Sequence, residues 1–251
     1  MQVVVIIPAR YGSTRFPGKP LAKIHGKPMI QHVAERCGKA GCVARVAVAT
    51  DDDRIREVVE GFGGTCVMTP PELASGTDRV HAAAVSLGLS AGDVVVNVQG
   101  DQPLVAPGCI DEVVAPLLAD PACAPRTMST LALKIVREKE ITDPKDVKVV
   151  FSREGFALYF SRAAIPCPRD ADTRPDYYKH LGVYAYTVDF LDAFSALPRG
   201  VLEDVEKLEQ LRALEHGLSI KVVVTLHDSP EVDLPEDIAW MESNIRPTPD
   251  P

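Results

Sequence analysis

Three bases, Arg10, Arg15 and Lys19, share one short stretch, Pro8-Ala9-Arg10-Tyr11-Gly12-Ser13-Thr14-Arg15-Phe16-Pro17-Gly18-Lys19-Pro20, that holds no acid. Guanidinium groups offer forked donors to phosphate oxygens and an ammonium offers a point charge. Gly12 and Gly18 let backbone N–H groups come close to a ligand. The chemistry this suggests is recognition of a polyphosphate, and the plain alternative is a turn that happens to carry three bases. The spacing matches neither G-x-x-x-x-G-K-[ST] nor G-x-G-x-x-G. Further on, Asn97-Val98-Gln99-Gly100-Asp101-Gln102-Pro103 places a carboxylate just after an apolar run. Mg²⁺ takes one or two carboxylates together with phosphate oxygens and waters, so Asp101 is a candidate metal ligand; a turn-forming Gly-Asp is the alternative.

Both stretches need a scaffold that presents them side by side. Val3-Val4-Val5-Ile6-Ile7 leads directly into the basic loop and reads as a strand buried on both faces. Apolar runs at 43–49, 65–68 and 93–99 read as further strands. Helices are expected from Pro28 to about Gly38, from Arg54 to Phe62 behind an Asp cap, from Ser75 to about Leu87, and from about Pro107 to Leu118. This alternation predicts an α/β fold: a mostly parallel, Rossmann-like sheet with helices on both faces, whose ligands bind outside the strands' carboxyl ends. The second half changes character. Strands are expected at 128–136, 147–151, 156–160 and 180–188, with Gly155 at hairpin spacing, so antiparallel pairing is favoured there. A long loop over 161–178 reads as functional or interfacial. Two helices, 203–216 and 235–245, flank a strand at 220–226, and the Pro-rich stretch from Arg246 reads as frayed.

Charge sharpens the picture. The chain has 251 residues and a net charge of −8, which argues against a general nucleic-acid binder. Yet its first acid is Glu35, and Arg10, Arg15, Lys19, Lys23 and Lys27 precede it, so an anion-facing surface is local to this end. The six cysteines (Cys37, Cys42, Cys66, Cys109, Cys123 and Cys167) form no C-x-x-C and no zinc spacing; they read as reduced thiols of a cytoplasmic protein. The apolar run before Pro8 is too short for a signal peptide or membrane span, so no membrane role is expected.

Taken together, these stretches resemble the 3-deoxy-D-manno-octulosonate (Kdo) cytidylyltransferase family, the CMP-Kdo synthetases. The resemblance rests on Pro8-Ala9-Arg10 with Ser13, Arg15 and Pro17-Gly18-Lys19-Pro20-Leu21, on Ser75-Gly76-Thr77-Asp78-Arg79, and on Asn97-Val98-Gln99-Gly100-Asp101. It continues through His180-Leu181-Gly182-Val183-Tyr184, Glu206-Lys207-Leu208-Glu209-Gln210 and Val232-Asp233-Leu234-Pro235-Glu236-Asp237, so that it covers about residues 2–245 in order. One departure is Leu73, where the family pattern has a His two residues before the Ser of the second motif.

The resemblance implies a reaction and a set of roles. CTP and Kdo would give CMP-Kdo and diphosphate for lipopolysaccharide synthesis. Arg10 and Lys19 would meet the triphosphate, with Ser13, Arg15, Ser75, Arg79 and Gln99 also lining the nucleotide. Asp101 and Asp233 would hold Mg²⁺. Gln99, Arg162, His180, Tyr184, Glu209 and Gln210 would contact the sugar, Arg162 or His180 meeting its carboxylate. Residues 1–125 and 200–251 would form the nucleotide and metal core of a single domain, and about 126–199 a sugar-binding part that also builds a homodimer. By pattern alone, Glu209 and Gln210 sit on the solvated face of a helix whose apolar stripe is Val205, Leu208, Leu211 and Leu214. Asp233 reads equally as a helix-start residue, and His180 and Tyr184 as ordinary strand residues. The competing functions are activation of another acidic sugar, such as a sialic acid or a modified Kdo, and non-catalytic nucleotide-sugar binding.

Overall fold

The computed structural model describes residues 1–12, 15–73, 75–120, 126–170 and 172–245. Ser13, Cys123 and the tail from Arg246 therefore lie outside the described residues. The first half follows the expected alternation: β1 (Val3–Ala9), the hairpin β2 (Lys23–Ile24) and β3 (Lys27–Pro28), α1 (Met29–Cys37), β4 (Arg45–Thr50), α2 (Asp53–Gly61), β5 (Thr65–Met68), α3 (Gly76–Ser86), β6 (Val94–Asn97) and α4 (Pro107–Ala119). The second half contains β7 (Thr127–Lys134), α5 (Glu138–Thr142), β8 (Lys148–Phe151), β9 (Ala157–Ser161), β10 (Tyr178–Thr187), α6 (Val188–Ser195), α7 (Val201–Glu206), α8 (Gln210–Glu215), β11 (Ser219–Thr225) and α9 (Asp237–Asn244).

Among the described residues, nine strands join in one sheet, whose main path runs β11-β7-β10-β6-β1-β4-β5. β1 pairs in parallel with β4 and β6, and β4 with β5. β10 runs against both of its main neighbours, β6 and β7. The antiparallel expectation for the strands between 128 and 188 holds, since β10 runs against β7 and β8 and β8 against β9, while the later strand β11 joins β7 in parallel. β8 and β9 form the expected hairpin, with Gly155 at φ 79° in its turn.

Alternation along β1 explains the layers. Val3, Val5, Ile7 and Ala9 face a core built with Ile30 and Val33 of α1, Ile55 and Val59 of α2 and Ile110 and Val113 of α4. Val4 and Ile6 face the opposite core, with Val80 and Ala83 of α3, Phe190 and Leu191 of α6 and Leu211 of α8. Helices thus cover both faces, as a doubly covered sheet of β-branched strands requires. Asp52 caps α2 by accepting from Arg54 N at 3.0 Å, and Ser75 caps α3 by accepting from Asp78 N at 3.1 Å. A third, smaller core of Ile24, Met29, Val232 and Met241 ties the β2–β3 hairpin to α9.

The expected single helix over 203–216 is two helices. Lys207 adopts the left-handed conformation (φ 54°, ψ 48°) and ends α7, and α8 starts afresh at Gln210. Apolar spacing runs unbroken through this stretch because Leu208 and Leu211 are both buried, so periodicity alone hides the break. α6 was not foreseen either: Thr187 ends β10 and immediately caps the helix by accepting from Phe190 N at 3.3 Å.

Candidate active site

The carboxyl ends of β1 and β6 lie side by side, which brings the basic loop and the Asp101 turn together. Gly100 is buried here, and a Cβ on it would stand 3.2 Å from Pro8 O. The loop closes on itself at Gly18, whose N–H donates to Tyr11 O at 2.9 Å. Gly18 has φ 72°, and any side chain would meet the Tyr11 ring, which the Arg54 guanidinium covers at 3.3 Å. The three loop bases then diverge. The Arg10 Nη2 donates to the carbonyls of Leu73 (2.6 Å) and Ser75 (3.1 Å). Lys19 Nζ donates to Asp101 Oδ2 at 2.6 Å and to Val232 O at 2.9 Å. Arg15 pairs with Asp233 Oδ1 at 2.8 Å.

Asp233 lines a cleft of about 460 Å³ together with Gln102, Lys145, His180, Glu231 and Trp240, and Asp101 immediately precedes Gln102 in the chain. The Val232 N–H donates to Asp101 O at 2.9 Å and joins the two segments. Asp233 is also fixed from behind: its N–H and that of Leu234 both donate to Asp237 Oδ2 at 2.8 Å. A third carboxylate, Glu231, lies within electrostatic reach of both, and its burial, then Asp101 and Asp233, hold it above the usual carboxylate range.

Does this arrangement fit Mg²⁺? Asp101 Oδ1 is buried with no hydrogen-bond partner, and Glu231 feels the charges of both Asp101 and Asp233. Among the described residues no group of three or more His, Cys, Asp and Glu side chains is placed to hold a metal ion by itself. A cation that takes one or two carboxylates and completes its shell with substrate oxygens and waters suits this donor set.

On the nucleotide side, Arg79 is fully buried, with Nη2 donating to Asp51 Oδ2 at 2.9 Å and Nη1 to Thr69 Oγ1. It fixes the ends of β4 and β5 beside the basic loop. Gln99 bridges two strands: its Nε2 donates to Asn97 Oδ1 at 3.1 Å and Gly182 O at 3.3 Å.

The remaining sugar candidates converge as well, and the helix break is the reason. Glu209 accepts from Thr77 Oγ1 at 2.6 Å, and Gln210 Oε1 accepts from the Tyr184 hydroxyl at 3.3 Å. Gln210 is 3% exposed, so the solvated-face reading fails for it. Glu209 Oε1 and Gln210 Nε2 are buried without partners. His180 lies against Phe160 and Tyr184, with Nε2 at 2.9 Å from Thr130 Oγ1. Burial pushes its imidazole down to about 3, so at neutral pH it offers a neutral hydrogen bond and no charge. Arg162 is braced, with Nε donating to Glu206 O at 2.8 Å and Nη1 to Pro144 O at 2.9 Å.

Glu231, Lys145 and Thr77 were not singled out from sequence. Glu231 and Asp233 are two apart in an extended stretch before Pro235, a spacing that puts both on one side. Lys145, 3.2 Å from Asp233 Oδ2, carries no such signal.

Comparison with known proteins agrees with this geometry. Residues 4–220 match the family model described as Cytidylyltransferase. A 3-deoxy-manno-octulosonate cytidylyltransferase of Desulfatibacillum aliphaticivorans is 64% identical over 98% of this chain and 99% of its own. An 8-amino-3,8-dideoxy-manno-octulosonate cytidylyltransferase of Shewanella piezotolerans is 58% identical over 98% of this chain and 99% of its own. The solved structure of CMP:2-keto-3-deoxy-manno-octonic acid synthetase complexed with CTP superposes with a TM-score of 0.90 at 41% identity, covering 97% of this chain and 98% of that one. The chain belongs to the cytidylyltransferase family, among the 3-deoxy-manno-octulosonate cytidylyltransferases.

Proposed function

We propose that the protein activates Kdo with CTP: the anomeric oxygen of Kdo attacks the α-phosphorus in line, the bond to the β-phosphate oxygen breaks, and CMP-Kdo and diphosphate form. The observation that supports this reading is the chain of contacts by which the basic loop reaches both acids: Lys19 pairs with Asp101 and bonds Val232 O, and Arg15 pairs with the adjacent Asp233. Lys19 and Arg10 offer charge to the triphosphate, with Arg15 and Ser75 near them; the family resemblance assigns Ser13 to the same ligand. Asp101 and Asp233 are the residues that would hold Mg²⁺. When bound, such an ion neutralises phosphate charge and polarises the reacting oxygens. Little covalent chemistry falls to the protein, whose contribution is positioning and preorganised charge. Gln99, His180, Tyr184, Glu209 and Gln210 present hydrogen bonds to the sugar, and the fixed Arg162 guanidinium faces its carboxylate.

The same reading divides the chain into a nucleotide and metal core, 1–125 with 200–251, and a sugar and dimer part over about 126–199. The sugar contacts draw on both, since Glu209 and Gln210 follow α7. A homodimer built with roughly 151–190 is supported by the exposed Leu158 on the outer strand β9. Free thiols at Cys37, Cys42, Cys66, Cys109 and Cys167 favour a reducing cytoplasm, where the product would enter lipopolysaccharide synthesis. Among the described residues no helix is long and apolar enough to cross a membrane.

The Shewanella relative supports a second reading, in which the acceptor is the 8-amino-3,8-dideoxy sugar. Diphosphate release with CTP and Mg²⁺, measured on Kdo, its 8-amino analogue and a sialic acid, separates the readings. A kcat/KM highest for Kdo is expected. Release with the sialic acid alone, or with none of the three, overturns the proposal.

A further inference from the structure

The break between α7 and α8 is what aims Glu209 and Gln210 into the site, and the structure shows what holds it. Lys207 sits in a left-handed conformation that a side chain with Cβ adopts at a cost. Such a conformation persists only where its surroundings over-determine it. The contacts converge on Glu206. Its Oε1 accepts from Ser161 Oγ at 2.6 Å, its Oε2 from Arg162 N at 3.0 Å, and its carbonyl, which α7 leaves unsatisfied on ending, from Arg162 Nε at 2.8 Å. The far side is clamped by Arg212, which donates from Nε (2.7 Å) and Nη2 (2.6 Å) to the buried carboxylate of Glu203. Glu203 and Arg212 span the break and set the angle between the two helices. Leu208, 7% exposed, plugs the turn into the core.

We infer that Glu206 is a positioning residue for sugar recognition: by binding the end of β9 it fixes the left-handed turn at Lys207 and thereby the directions of Glu209 and Gln210. The anchor also reaches the metal side. Arg162 passes the constraint to Pro144 O, and Lys148 Nζ holds the neighbouring Asp143 O at 2.7 Å. That segment carries Lys145, 3.2 Å from Asp233 Oδ2. One carboxylate thus ties together the two walls between which the sugar must lie.

This inference rests on the reading that Glu209 and Gln210 contact the sugar, and the test keeps the two apart. Steady-state kinetics with CTP and Kdo, with melting temperatures beside them, are compared for Glu206→Ala, Glu206→Gln, Lys207→Val, Lys207→Gly and Glu209→Ala. Glu206→Ala and Lys207→Val are expected to raise KM for the sugar by about tenfold, with KM for CTP changed by less than about twofold. Glu206→Gln keeps one acceptor and should recover part of the loss. Lys207→Gly, which adopts the turn freely, should leave both KM values in place. Should Glu206→Ala fail to fold, Lys207→Val decides the matter, because Lys207 is exposed and its one ion pair, to Asp204, is lost equally in Lys207→Gly, so that the two variants differ in the turn. Unchanged sugar KM in Lys207→Val and Glu206→Ala, beside a raised value in Glu209→Ala, overturns the positioning role alone. An unchanged sugar KM in Glu209→Ala removes the sugar reading and the inference with it.

Discussion

The region proposed to meet the phosphates and the region proposed to meet the sugar are built on opposite plans. At the phosphate end, long cationic side chains reach out of a loop. Arg15 is 60% exposed, Arg10 is exposed too, and the groups they touch belong to distant segments. At the sugar end the polar groups grow from strands and helix starts and are recessed, each already bonded to a neighbour: Thr77 to Glu209, Tyr184 to Gln210, His180 to Thr130. The difference follows from the ligands. A triphosphate carries enough charge to be met by forked or point donors over a range of geometries. A hydroxyl offers one weak directional bond, worth making only if its partner is placed beforehand.

That contrast predicts different kinetic signatures. Asp101→Asn should have the largest effect, lowering turnover by at least about 10³-fold while the fold survives, since a hard-oxygen ligand beside the reacting phosphate is lost. Diphosphate release together with a thermal melt checks it, and near-normal turnover by a folded variant removes Asp101 from the metal site. Lys19→Ala should cost about 10²–10³ in kcat/KM for CTP, roughly 2–4 kcal/mol of transition-state stabilisation, with little change in melting temperature. A rise in KM for CTP at constant kcat would instead mark Lys19 as a ground-state contact.

Sugar-end variants should leave CTP alone. Tyr184→Phe removes one hydroxyl from the Gln210 contact and should raise sugar KM severalfold, as loss of about 0.5–1.5 kcal/mol implies. If KM for CTP rose in step, the two ends would not be separable as described. The smallest effect concerns protons. The His180 imidazole titrates at about 3 in the folded chain against a usual 6.5. The unfolded chain therefore takes up the proton first, so stability falls as pH drops from 6.5 towards 3 and this contribution is flat above 6.5. His180→Asn should flatten that acid slope in melting curves and leave the shape of the kcat profile above pH 7 unchanged. A kcat inflection near neutrality that His180→Asn abolishes would show a charged imidazole at work.

The same contrast decided what could be read from the sequence. The phosphate end was legible because its grammar is local: a buried strand, then a loop of bases with Gly18 at its turn, then Asp101 at the next strand's end. The sheet's parallel half was legible for the same reason, from β-branched runs and from caps such as Asp52 and Ser75. The sugar end depends on contacts distant in the chain. Nothing between Val201 and Glu215 announces that Lys207 turns left-handed, because the cause lies at Ser161 and Arg162. Motif resemblance supplied Glu209 and Gln210 there, where periodicity argued against them. Arg79 was legible as a motif member but not as a fully buried brace, since only the fold reveals that Asp51 and Thr69 meet it.

One feature joins the two ends: β6 and β10 lie antiparallel, with Tyr184 opposite Asn97 and Ala185 opposite Val96. Val94, Val95 and Val96 are wholly buried, so this ladder lies in the core between the two helical layers. Neighbouring strands are held about 4.8 Å apart. On the proposed assignment of the two ends, the separation between nucleotide and sugar would be ruled by a hydrogen-bonded lattice spacing. Drift in a loop on either flank would then loosen a reactant's grip, while the line along which nucleophile meets phosphorus would be inherited from the sheet. Acceptor preference could in that case diverge among relatives with the trajectory of the reaction unchanged.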